Sequence, residues 1–257
     1  MEWFRQQNKE RVMQTSYDGL KLAADILPAD PGTERGVLIL MHGFRGSAAH
    51  DFSCALEFYH ELGYHLILPH QRAHGKSEGR YLCFGVKERY DCRMWAYYAA
   101  TRFGDKMPIF LDGISMGAST VLMAAGLELP RNVKGIIADC GFTSPWEIFR
   151  FVLKKWFHLP AFPILHLTGI LCRFAAGFGF RECSTLDVLS KSNLPVLFVH
   201  GTADELVPFW MGEQNYRACQ GPKRFVKVEG ASHGFSFLME EERCKNELQE
   251  FLREYSL

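Results

Sequence analysis

Short, mostly apolar runs recur along the chain at residues 37–41, 65–68, 109–111, 135–138, 196–199 and 225–228, and most are separated by segments of helix length. Strands buried on both faces read as continuous rather than alternating apolar runs, and the helices between them supply the cover, so the pattern predicts a parallel sheet. Ahead of these runs, residues 12–16 and 20–27 flank the turn signal Tyr17-Asp18-Gly19 and predict an antiparallel hairpin. The sum is an eight-stranded, mostly parallel α/β sheet flanked by helices. Among the helices, one is expected over 51–62 and stopped by Gly63, one over 118–127, and a charged amphipathic one over 240–255.

One stretch breaks the rhythm. Between Asp139 and Leu194 the chain is far longer than an ordinary crossover and rich in aromatic residues, including Trp146, Phe149, Phe151, Trp156, Phe157, Phe162, Phe174 and Phe178. Lys154, Lys155, Arg173, Pro160 and Pro163 interrupt it before any run of membrane-spanning length, so no stable membrane insertion is expected. The segment is read as a helical lid or cap over residues 142–192, inserted in a single domain of 1–257, with an apolar inner face for substrate; a plain core subdomain is the alternative. Trp146, Phe149 and Trp156 are the candidate substrate contacts. Arg150, Lys154, Lys155 and Arg173 form either its solvated face or a contact to anionic lipid surfaces.

The most informative local pattern is Gly113-Ile114-Ser115-Met116-Gly117, with the apolar run 109–111 before it and a run of small helix formers after it. A serine whose hydroxyl stands clear of a strand-to-helix turn adopts strained backbone angles, which requires small flanking residues. Ser115 is therefore the candidate nucleophile. A serine hydroxyl needs a base, and the base needs a carboxylate to fix its tautomer. Asp204 follows the apolar run 196–199 and His233 follows the run 225–228, giving the order Ser115, Asp204, His233 expected for this kind of elbow. Asp139, after the preceding strand, is the alternative acid, and His200 reads as structural. The oxyanion donors are expected to be the backbone N–H groups of Met116 and of Phe44 in the loop His42-Gly43-Phe44. Arg45, Glu78, Arg80, Glu88 and Asp112 are read as surface or capping residues that could also contact substrate.

Composition narrows the partners. Lys plus Arg and Asp plus Glu are both 29, so no net field recruits nucleic acid. The first residues lack the apolar stretch and cleavage site of a secretory signal, which predicts a cytoplasmic protein. The eight cysteines form no CxxC pair and read as reduced thiols. The cluster His65, His70 and His74 lies beside Arg72 and Lys76 rather than carboxylates or thiols, so neither a metal nor a cofactor is expected.

Taken together, His42-Gly43-Phe44, the segment Gln71 to Ser77, Gly113 to Gly117, His200-Gly201-Thr202-Ala203-Asp204 and Ser232-His233-Gly234 resemble the α/β-hydrolase family, in particular bacterial single-domain serine hydrolases with a compact helical cap. The segment from Arg72 to Ser77 resembles the family's Asp-x-Arg-Gly-x-Gly-x-Ser loop, with His70 where Asp is expected and Ala73 where the first Gly is expected. The resemblance implies hydrolysis of a carboxylic ester, amide or thioester through an acyl-enzyme on Ser115. The aromatic insert favours a carboxylesterase for small-molecule esters with an apolar or aromatic acyl group. A serine peptidase or acylaminoacyl hydrolase, a thioesterase or acyltransferase, and a non-catalytic hydrolase-fold receptor are the alternatives.

Overall fold

The structure is a computed structural model that describes residues 2–256. Eight strands form one sheet: β1 (Glu10–Thr15), β2 (Lys21–Leu27), β3 (Gly36–Met41), β4 (Tyr64–Pro69), β5 (Ile109–Ile114), β6 (Val133–Asp139), β7 (Val196–Gly201) and β8 (Lys223–Val228). Their spatial order is β1-β2-β4-β3-β5-β6-β7-β8, with β2 antiparallel to both its neighbours and every other pair parallel. The helices are α1 (Glu2–Gln6), α2 (Ala48–Asp51), α3 (Leu56–Glu61), α4 (Glu88–Phe103), α5 (Met116–Ala124), α6 (Pro145–Trp156), α7 (Ile164–Ala175), α8 (Thr185–Leu189), α9 (Phe209–Ala218), α10 (Ser236–Met239) and α11 (Glu241–Tyr255).

Period-two alternation within the strands feeds two cores. Val37, Ile39 and Met41 pack with Trp95 of α4 and Leu122 of α5 on one face, while Leu38 and Leu40 pack with Tyr59 of α3 and Phe251 of α11 on the other. A third cluster sits under the insert, where Ile148 of α6, Leu165 of α7 and Phe178 meet Met116, Phe142 and Val207. The insert thus comprises α6, α7 and α8, and α6 is capped by Ser144, whose hydroxyl accepts the Glu147 amide ahead of Pro145 at the first helical position. Among the described residues no helix is long and apolar enough to cross a membrane.

The order of the strands positions the site. Because β3 lies between β4 and β5, the crossovers to β4 and then to β5 leave in opposite directions, and the loops after β3 and β5 open beside each other at the carboxyl edge of the sheet. The expected helix over 51–62 is corrected here: it is split into α2 and α3. Between them the backbone tightens to three-residue steps, Ser53 N–H to His50 O and Ala55 N–H to Phe52 O, and the Phe52 ring is buried. Gly63 ends α3 at φ 85°, as the sequence indicated.

The loop after β4 is fastened from inside. Buried Arg72 donates to Asp91 of α4 at 2.7 and 2.8 Å and to Asp18 at 3.0 Å. Burial works against the Arg72 charge, but the hydrogen bonds and charge of Asp91 and Asp18 more than offset it and raise its pKa. Ala73 takes the left-handed φ of 61° for which a glycine is usual, and His70 donates to Asp25 at 3.2 Å. Removing one partner of a buried ion pair strands the other charge, so Asp91→Ala should lower unfolding stability in urea by about 3–5 kcal/mol. A loss below about 1 kcal/mol would show that Arg72 is not held by this pair.

Candidate active site

Ser115 lies at the junction of β5 and α5 with φ 59° and ψ −116°, a backbone region that costs energy outside glycine. The glycines on either side make the turn possible. A Cβ on Gly117 would collide with the Met41 carbonyl oxygen, and one on Gly113 would collide with the Gly117 oxygen. The start of α5 is thus pressed against the ends of β3 and β5, and the Ser115 side chain projects from a fixed turn.

Three of the sequence candidates meet there. The Ser115 hydroxyl donates to His233 Nε2 at 2.8 Å, and His233 Nδ1–H donates to Asp204 Oδ2 at 2.7 Å. Asp204 Oδ1 accepts the amides of Leu206 and Val207, both at 2.9 Å, and His200 Nε2 lies 3.3 Å from Oδ2 while donating to the Val207 carbonyl at 2.9 Å. Burial would raise the Asp204 pKa, but the hydrogen bonds from His200 and His233 and the Val207 amide bring it down to about 2. The carboxylate is therefore ionised and fixed in orientation, as a partner for imidazolium must be. His200 turns out to brace Asp204 directly, which its strand-end position alone did not reveal.

The loop after β3 is braced as tightly. The Gly43 amide donates to Asp51 Oδ2 at 2.7 Å, and buried His42 donates through Nδ1 to the Gly43 carbonyl at 2.8 Å while accepting the Gln71 amide on Nε2. Burial lowers the His42 pKa to about 4, so this ring is a neutral strut. Phe44 follows, half exposed, and lines the same cavity as Met116, the first residue of α5, whose N–H has no partner within the helix. Glu88 accepts the amides of Cys83 at 2.7 Å and Gly85 at 3.0 Å, which fixes the turn that presents Phe84. Glu88 is therefore a buried loop brace, and Glu78 similarly accepts the Lys21 amide at 2.8 Å.

Ser115 opens into a cavity of about 720 Å³. Toward the insert it is walled by Phe84, Phe142, Ile148, Phe149, Val152 and Val207, and toward α11 it passes Phe235 and Leu238 to reach Tyr59, Asp112, Asp139 and Leu248. Of the three aromatic residues expected at substrate, Phe149 lines this cavity. Trp146 instead borders a separate shallow pocket under Arg181, whose guanidinium is 3.7 Å from the ring, and Trp156 is half exposed at the end of α6. Helical phase explains Trp146, which falls outside the inner face shared by Ile148, Phe149 and Val152; Trp156 is in phase with that face but is the last residue of α6 and does not line the cavity. Phe84, Phe142 and Val207 were not legible in sequence because they come from loops with no periodic pattern.

Asp112 and Asp139 form an acidic floor on the α11 side. Asp112 accepts the Tyr59 hydroxyl at 2.7 Å, and Asp139 Oδ1 is buried with no hydrogen-bond partner in the protein. Burial, reinforced by the charge of Asp139, raises the Asp112 carboxyl to about 7, and burial raises Asp139 to about 6 despite the opposing influence of His200 and His233. Asp139 thus lies beside the histidine pair without hydrogen-bonding His233, which is partnered by Asp204 instead. Cys140 Sγ, an Asp204 oxygen and a His233 ring nitrogen lie within 4.8 Å of one another, but burial pushes the Cys140 thiol well above its ordinary value and withholds the thiolate that a metal prefers.

These shifts have opposite signs in acid. Asp204, depressed to about 2, contributes stability that is present above about pH 3.9 and lost as pH falls through 2. Asp112, raised to about 7, binds more proton in the folded than in the unfolded state between about pH 3.9 and 7, so its contribution is lost as pH rises through that window. Asp112→Asn should therefore flatten the fall in melting temperature across this window while keeping an acceptor for Tyr59. Thermal melts at stepped pH with an unchanged slope would refute the assignment.

Comparison with known proteins agrees with this architecture. A family model described as alpha/beta hydrolase fold matches residues 36–169, and one described as TAP-like protein matches residues 180–257. The chain is 28% identical over 222 residues to the uncharacterized protein YqkD of Bacillus subtilis, covering 86% of this chain and 72% of that one. Its fold is similar to that of the Pyrococcus furiosus esterase Pf2001, with a TM-score of 0.79, 22% identity and coverage of 100% and 95% of the two chains. It is also similar to Est1E from Butyrivibrio proteoclasticus with ferulic acid bound, with a TM-score of 0.70, 20% identity and coverage of 95% and 99%. With more than half of its length matched by the first model, and with the sheet order and elbow described above, the chain belongs to the α/β-hydrolase family.

Proposed function

We propose that the protein is a serine carboxylesterase that hydrolyses small-molecule esters with an apolar or aromatic acyl group. The observation that carries this reading is the continuous hydrogen-bonded line from the Ser115 hydroxyl through His233 to a buried, ionised Asp204, opening into an apolar cavity. In the proposed cycle His233 Nε2 takes the Ser115 proton as Oγ attacks the ester carbonyl. The amides of Phe44 and Met116 stabilise the tetrahedral oxyanion. His233 returns the proton to the leaving alkoxide, leaving an acyl-serine. A water then gives its proton to His233 as it attacks, and collapse releases the acid and restores the Ser115 hydroxyl. Asp204 stays ionised throughout and stabilises the imidazolium.

The apolar or aromatic preference is supported by the cavity walls at Phe84, Phe142 and Phe149, and an aromatic acid is bound by the structurally similar Est1E. Residues 142–192 act in this reading as a lid, with Ile148, Phe149 and Val152 as its substrate face. Excluding water over the acyl-enzyme would strengthen the electrostatic contribution of the two amides.

Two measurements test the proposal. Across p-nitrophenyl esters from acetate to dodecanoate and phenyl-substituted acyl groups, turnover should peak at an intermediate or aromatic acyl group. Ser115→Ala should reduce it by at least about 10⁴-fold and abolish labelling by a fluorophosphonate. Absence of Ser115-dependent hydrolysis across the panel would overturn the reading. Gly43→Pro removes the N–H that donates to Asp51 and should cost about 100- to 1000-fold in kcat, the loss typical of one oxyanion donor. An unchanged kcat would mean that the loop after β3 does not serve the oxyanion.

A further inference from the structure

The α6–α7 pair has an outer face that the cavity does not use. Ile148, Phe149 and Val152 turn inward, whereas Phe157, Phe162, Leu167, Ile170, Leu171 and Phe174 are exposed. Phe174 is 87% exposed, Phe162 71% and Leu171 66%, and Leu165 is the one buried residue of the 12 in α7. Single exposed apolar residues are ordinary, but a cluster of this size between positions 157 and 174 is the mark of an interaction surface.

Charge identifies what that surface fits. Residues 148–181 hold Arg150, Lys154, Lys155, Arg173 and Arg181 and no Asp or Glu, in a chain that as a whole balances 29 Lys and Arg against 29 Asp and Glu. Some of these cations already have partners: Arg150 pairs with Glu147 of the same helix at 2.6 Å, Lys155 lies 3.6 Å from Glu205, and Arg181 covers Trp146. Lys154 and Arg173 stand exposed beside the apolar tip. Apolar side chains rimmed by cations match the boundary between acyl chains and anionic headgroups. A second copy of the chain fits less well, because a two-fold contact would bring like charges together. At 12 residues α7 is about 18 Å long, short of the roughly 30 Å hydrocarbon core, so contact is in the plane of the interface rather than across it.

We propose that the α6–α7 crown docks the protein peripherally on an anionic lipid bilayer. The inner face of α6 walls the cavity, so docking brings the opening beside Ser115 close to amphiphilic molecules held in the membrane. The docking surface itself does not depend on the esterase reading, and its test does not use turnover.

The full chain is sedimented with vesicles of phosphatidylcholine alone and of phosphatidylcholine with phosphatidylserine, at low and at physiological salt. Binding should favour the anionic vesicles and weaken with salt. It should fall at least about tenfold both in Phe162→Asp/Phe174→Asp and in Lys154→Glu/Arg173→Glu, with circular-dichroism melts confirming that each variant is folded. The second variant keeps the apolar tip intact, so it reads the charge contribution even if the first is destabilised. No binding to anionic vesicles, or binding undiminished in both variants, would overturn the proposal. So would light scattering that shows a dimer dissociated by Phe162→Asp/Phe174→Asp, since the crown would then be covered by a second copy.

Discussion

The tightest approach in the site is between the first turn of α5 and the end of β3, where Gly117 faces the Met41 carbonyl with no room for a methyl group. That contact is a steric constraint rather than an attraction, and much follows from it. Beside it Ser115 takes a positive φ, and the serine hydroxyl stands 2.8 Å from His233. The strand order supplies the other half of the geometry by bringing the loops after β3 and β5 together.

Around this turn the protein uses its buried polarity to hold loops rather than strands. Asp51, Glu88 and Asp204 each accept backbone amides from a loop that borders the cavity, and neutral His42 stands behind the first of them. A carboxylate that accepts backbone amides from inside the protein fixes the donors' orientation, which a surface ion pair cannot do. Asp112 and Asp139 line the cavity itself. Burial lifts both toward neutrality, and the unpartnered oxygen of Asp139 leaves a polar spot at the end of an otherwise apolar space.

The sequence made the framework legible because strand burial and glycine sterics are local. Runs such as 37–41 and 196–199 announced β3 and β7, and the spacing of Gly113, Ser115 and Gly117 announced the turn. Asp204 and His233 could be nominated because each follows an apolar run directly. What escaped was tertiary. The break between α2 and α3 depends on where Phe52 is buried, the division of Trp146, Phe149 and Trp156 depends on how α6 is rotated about its axis and where it ends relative to the cavity, and the bracing of Asp204 by His200 depends on a fold of the chain between β7 and α9. None of these has a signature in periodicity.

A file of rings in contact joins the insert to the loop after β3: Phe44 stacks on Phe84 at 5.4 Å, Phe84 meets Phe149 edge to face at 4.5 Å, and Phe149 lies tilted 4.8 Å from Phe180. Each joint is a contact between rigid planes, so the file behaves as a mechanical linkage more than as a lining. Any tilt of α6 must either open a joint in this file or pull on Phe44, and Phe44 shares its backbone with the loop beside Ser115. The insert and the loop beside Ser115 are thereby joined through one continuous file of rings, and a force on the outside of the insert has a rigid path to the inside of the cavity.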